Sequence, residues 1–161
     1  MEQTCTRCGA PISGLVCEYC GSLTSPLADS AAEEKAIDEF HEILLTKDEE
    51  AQVKMLKSGF IPDSPTALIE AGVHCIPLID TSSPSDDVVI SAGARLQAIV
   101  TKLKLMPDFE KKQQAITEFE TVLHSLAKAN RNTDRFLIGV AIVFGLLLII
   151  CTCGGFYVML S

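Results

Sequence analysis

Residues Phe136 to Leu160 read FLIGVAIVFGLLLIICTCGGFYVML, 25 positions without a charge. At about 1.5 Å of rise per residue, such a stretch makes roughly 37 Å of helix, enough to cross a hydrocarbon layer of about 30 Å with some tilt. Fifteen of these residues are Leu, Ile, Phe or Val. Each favours the bilayer centre by about 0.3 to 0.6 kcal/mol, which outweighs the cost of the Gly and Thr residues. A core helix of a soluble domain keeps a polar face, and this stretch has none. The sequence therefore predicts one C-terminal transmembrane helix over 136–160. Only Ser161 follows, so a tail anchor is expected, in contact with membrane lipid.

Lys128, Arg131 and Arg135 precede this stretch and no basic residue follows it. The positive-inside rule then places the N-terminal side in the cytoplasm. The opening residues MEQTCTRCGA carry neither a basic n-region nor an apolar h-region, so no cleavable signal is expected. The predicted location is a membrane crossed once, a bacterial plasma membrane first and a eukaryotic organelle membrane as the alternative.

The net charge of −8 is unevenly spread. Residues 23–127 hold 18 acidic and 9 basic side chains, net −9. An acidic body is repelled by anionic lipid and by phosphate backbones, which argues against a nucleic-acid-coating surface and favours a cytoplasmic protein partner.

Cys5-Thr6-Arg7-Cys8-Gly9 and Cys17-Glu18-Tyr19-Cys20-Gly21 are two C-x2-C-G knuckles. Each points two sulfurs at one place, and the following Gly permits a tight turn that aims amides at them. Together Cys5, Cys8, Cys17 and Cys20 complete a tetrahedral four-sulfur metal site. Soft thiolates in that arrangement select Zn2+, with iron of the rubredoxin type as the alternative that spacing does not distinguish. A cytoplasmic setting disfavours disulfides, and a redox C-x2-C is expected once, opening a helix, rather than twice. Ile12, Leu15 and Val16 cannot build a core for a unit of this size, so metal binding, worth about 10 to 16 kcal/mol in zinc-finger peptides, is expected to drive its folding. Four thiolates close the coordination sphere, which makes the metal structural.

The segment CTRCGAPISGLVCEYCGS resembles the short zinc ribbons that open many prokaryotic proteins, including ones joined to a membrane helix. The resemblance implies a β-hairpin knuckle with Cys5, Cys8, Cys17 and Cys20 as ligands. It covers residues 3–22.

After the linker Ser22 to Asp29, helical signals dominate. Ser30 to Glu33 and Thr46 to Glu49 read as capping boxes. Ile37, Phe40 and Leu44 form one apolar face, and Val53 and Leu56 the next, which Gly59 closes in a left-handed C-cap. Ser64-Pro65 starts a short helix ended by Gly72, and Val73 to Ile79 reads as a buried irregular turn because of Pro77. Ser83-Pro84 opens a long helix with Val89, Ala92, Leu96, Ile99 and Leu103 inward, broken at Pro107. A last helix from Asp108 to about Asn130 turns Phe109, Ile116, Phe119, Leu123 and Leu126 inward. The predicted fold class is mainly α: a zinc-ribbon β-knuckle over 1–22, an acidic helical domain over 23–130 in the cytosol, and the transmembrane helix.

No other constellation carries chemistry. His74-Cys75 sets a nucleophile beside a base, but adjacent residues point apart and buried packing is the reading. His41 and His124 read as solvated helix positions without a partner at metal-ligand spacing. The acidic tracts Glu33-Glu34, Asp48-Glu49-Glu50 and Asp86-Asp87 suit helix N-termini. No catalytic residue is expected. Ala141, Gly145, Cys151 and Gly155 are small residues four apart, a pattern that lets membrane helices pair, so homo-oligomerisation is an option. Cys151 and Cys153 read as packing residues first, with lipidation or an intermolecular disulfide as the alternatives.

The resulting expectation is a non-enzymatic adaptor or scaffold working through protein–protein contacts at a membrane. A self-associating membrane effector or pore component is the second expectation. A nucleic-acid-binding ribbon ranks third, since residues 1–22 offer one basic side chain, Arg7, against Glu2 and Glu18.

Overall fold

A computed structural model describes residues 4–131. Helix α1 spans Ser30–Leu45, α2 Glu49–Ser58, α3 Pro65–Cys75 and α4 Asp87–Leu105, with a 3-10 turn Ile76–Leu78 between the last two. A fifth helix, α5, runs over 112–131.

The expected fold class needs correction in two places. Among the described residues there is no strand: the expected β-knuckle has only the isolated antiparallel bridges Thr4–Pro11 and Val16–Leu23. The backbone between the bridged residues is bent around the cysteines, so each ladder stops after one pair. Among the described residues, too, no helix is long and apolar enough to cross a membrane. Helix α4, with 19 residues, carries Asp87, Arg95, Lys102 and Lys104, and α5 carries Lys112, Glu118, Glu120, Lys128 and Arg131. The predicted transmembrane helix, the small residues within it, Cys151 and Cys153 lie outside the described residues.

Aspartates start three of the helices. The Asp29 carboxylate accepts from the Ala32 amide at 2.9 Å, Asp48 from Ala51 at 2.9 Å, and Asp86 from Val88 at 2.8 Å. Each satisfies an amide with no intrahelical partner and puts negative charge at the positive end of the dipole. The predicted starts at Ser30, Thr46 and Ser83 are each displaced by one of these stronger anionic caps, and Thr46 instead closes α1. Helix α3 has Pro65 at its first turn and no cap from Ser64. Its start is held from α1: the Glu33 carboxylate accepts from the Ser64 amide at 2.6 Å and from the Asp63 amide at 3.1 Å.

Gly59 is extended (φ −63°, ψ 155°) rather than left-handed. Gly72 does not end α3, which continues to Cys75 before Pro77 tightens the chain into the 3-10 turn. A Cβ at Gly72 would lie 2.4 Å from the Phe119 ring, and one at Gly93 would lie 2.7 Å from a Leu126 methyl. The missing side chains on α3 and α4 therefore let α5 approach.

Helix α4 packs against both α2 and α3, while α1 lies against α3. One core cluster joins Ile37, Leu68, Leu96, Ile99, Leu103 and Phe119. A second joins Ala36, Phe40, Leu44, Met55, Leu56 and Ala92 with Val16 from the cysteine segment. Val16 thus finds in the helices the core that its own segment is too small to supply.

Candidate metal centre

The two knuckles repeat one backbone conformation. The Gly9 amide donates to the Cys5 carbonyl and the Gly21 amide to the Cys17 carbonyl, each at 2.8 Å, while the Cys5 and Cys17 amides donate to Ala10 and Ser22. Gly9 (φ +76°) and Gly21 (φ +68°) both take the left-handed conformation that other residues adopt at a cost. At Gly21 space is short as well, because a Cβ would lie 2.5 Å from the Phe40 ring.

These turns bring the four predicted cysteines together. Sulfur–sulfur separations are 3.8 Å for Cys5–Cys20 and 3.6 Å for Cys8–Cys17, and all four sulfurs lie within 4.8 Å of one another. A disulfide needs about 2.05 Å. Four Zn–S bonds of about 2.3 Å in a tetrahedron put sulfurs about 3.8 Å apart, so the spacing fits a shared metal ion. Cys5, Cys17 and Cys20 are buried.

Their surroundings shift two of these thiols in opposite directions. Amides of Cys8 and Arg7 pull the Cys5 thiol down to about 6. Burial pushes Cys17 up to about 12, against the pull of the Tyr19 and Cys20 amides. Neighbouring sulfurs cannot all be thiolates unless a cation compensates them. The tetra-cysteine cluster is compatible with a structural metal ion.

The cluster is fastened to the helical body at the end of α2. Arg7 donates to the Ser58 carbonyl at 2.6 Å, the Ser58 hydroxyl donates to the Cys20 carbonyl at 2.7 Å, and the Phe60 amide donates to the Gly21 carbonyl at 3.0 Å. Behind this seam lies Arg95, buried to 5% exposure on α4. Its guanidinium reaches the carbonyls of Gly59 at 3.3 Å and Phe60 at 2.5 Å and lies 4.5 Å over the Phe40 ring. Sequence reasoning passed over Arg95. Its place among Ala92, Leu96 and Ile99, on the apolar face of α4, is the signal that marks it.

The remaining sequence candidates are separated. His74 stacks on His41 with centroids 4.1 Å apart, whereas Cys75 is buried beside Arg95, its thiol raised to about 11 by burial against the pull of that guanidinium. His41, read as solvated, is instead partly covered, and burial followed by the nearby His74 lowers its pKa. His124 is exposed. The acidic tracts contribute the caps Asp48 and Asp86 and the reach of Glu33 to α3.

Comparison of the chain with protein-family models, curated proteins and solved structures finds no match.

Proposed function

We propose that the protein is a non-enzymatic adaptor in which Cys5, Cys8, Cys17 and Cys20 bind one structural Zn2+. The ion would brace a contact surface rather than act on a substrate. The observation that carries this reading is the seam between the cysteine cluster and α2. It fixes the second knuckle against the body and leaves Tyr19 at its tip 55% exposed. Tyr19 and Glu18 border a shallow cleft completed by Lys47 and Asp48 before α2 and by Glu50 and Lys54 within it. A rigid exposed aromatic beside charges of both signs suits protein recognition, because the ring offers contact area at low entropic cost. Placement at a membrane, with this body in the cytoplasm, rests on the apolar sequence of residues 136–160 and the basic residues before it. Confinement there would raise the effective concentration of the surface for its partner.

Crosslinking the full-length protein in its own cells tests the reading. The proposal expects a defined protein partner that Tyr19→Ala loses at unchanged zinc content. It also expects deletion of residues 136–160 to move the protein out of the membrane fraction while crosslinking persists. Recovery of this chain alone would favour self-association, and capture that ignores Tyr19 would overturn the proposed surface.

A further inference from the structure

We propose that Asp38, Glu70 and His74 form a second metal site, one that takes a divalent transition cation of the zinc class through two carboxylate oxygens and one imidazole nitrogen. Glu70 and His74 stand one turn apart on α3, and Asp38 faces them from α1. A ligand atom from each lies within 4.8 Å of the others. Helix pairs that project carboxylates and an i, i+4 or i, i+3 histidine toward one point are a recurrent way to hold metals in helical folds.

The histidine supplies the second observation. Its Nε2 is buried and has no hydrogen-bond partner among the described residues, although the side chain as a whole is 28% exposed. The nearest charge, Oδ1 of Asp38, is 3.6 Å away, too far for a hydrogen bond. Two ligands on one tetrahedral ion with bonds of about 2.0 to 2.1 Å are separated by about 3.3 Å, so the gap is close to that of atoms sharing a cation. A buried nitrogen left unmatched is costly, and an ion would remove that cost. His41 lies against the ring at 21° and limits its rotation, which makes it a positioning residue.

The surrounding charges agree with the geometry. Burial raises the Glu70 carboxyl, and Asp38 and Glu34 raise it further, against the opposing pull of His74. The site without a cation holds carboxylates that repel one another. An imidazole donor is poorly suited to Ca2+ or Mg2+ and well suited to Zn2+, Co2+ or Ni2+. Unlike the cysteine cluster, this triad supplies three protein ligands and would leave a coordination position for water or an outside group. The inference does not depend on the adaptor reading.

The test is equilibrium dialysis of the full-length protein against Zn2+ alone. Wild type is expected to take up a second equivalent that Asp38→Asn, Glu70→Gln and His74→Gln each weaken at least tenfold, while retention of the first equivalent and of helical circular dichroism shows these variants to be folded. Cys8→Ser should leave the second equivalent in place. On wild-type protein already loaded with one equivalent of zinc, added Co2+ should broaden the ring resonances of His41 and His74 before others. Uptake of a single equivalent, a second equivalent indifferent to all three substitutions, or imidazole resonances untouched by Co2+ would each overturn the site.

Discussion

The hydroxyl of Ser58, the last residue of α2, lies 2.7 Å from the carbonyl of Cys20 and 2.7 Å from that of Lys54, and shares its one proton between them. The bond to Cys20 joins the end of a helix to the backbone of a sulfur-bearing turn. Beside it, Gly21 has no room for a Cβ against Phe40. Ser58→Ala should cost about 1 kcal/mol, the worth of one hydrogen bond. Gly21→Ala should cost more than Gly9→Ala, because a Cβ at Gly9 meets nothing within 4 Å among the described residues and pays only for its dihedral. Urea unfolding with zinc content measured alongside checks the order.

Arg95 holds the carbonyls that follow α2 in place of a carboxylate partner. Burial lowers its pKa, against the opposing effect of Cys75, yet an arginine stays charged across the working range. Arg95→Leu would leave the Gly59 and Phe60 carbonyls without their donor. A loss of about 2 to 4 kcal/mol is expected, with faster zinc release to a chelator because the seam loosens. Unchanged release would detach Arg95 from the cysteine cluster.

Phe119 occupies the space of a side chain at Gly72. Gly72→Ala should destabilise by about 1 to 3 kcal/mol through overpacking. Phe119→Leu made in the same chain should recover part of that loss, a coupling that a double-mutant cycle reads directly.

Glu33 gives stability a defined acid limb. Burial raises its carboxyl, but hydrogen bonds from Ser64 and the Asp63 amide outweigh that and bring it below the ordinary 4.5. A carboxyl lowered by folding contributes fully above its unfolded pKa and loses that contribution as pH falls through the folded value. Stability should therefore decline below 4.5, and the stability difference between wild type and Glu33→Gln should shrink over the same range. Acid titrations of the two proteins followed by circular dichroism compare them.

The cysteine cluster was legible because its chemistry is local: ligand, turn and glycine sit within five residues, twice. The inward faces of α1 and α4 were legible for the same reason, since helical periodicity places Ile37, Phe40, Leu44, Leu96 and Ile99 without knowledge of a partner. What failed depended on competition or on distant residues. Ser30 and Asp29 are both good caps, and the pattern alone does not rank a neutral box against an adjacent carboxylate. Gly72 reads as a terminator until Phe119 is seen to need its space. His41 and His74 look solitary because the helix pair that stacks them is a product of tertiary packing. The knuckles, read as β, keep only single bridges because their backbone groups serve the turns.

The central claim, that the cysteine cluster is a structural zinc site, is tested most directly by X-ray absorption at the zinc edge of full-length protein loaded with one equivalent. The account predicts four sulfur neighbours at about 2.3 Å and no oxygen or nitrogen in the inner shell. An inner shell containing oxygen or nitrogen, or protein that retains iron in preference to zinc, would contradict it.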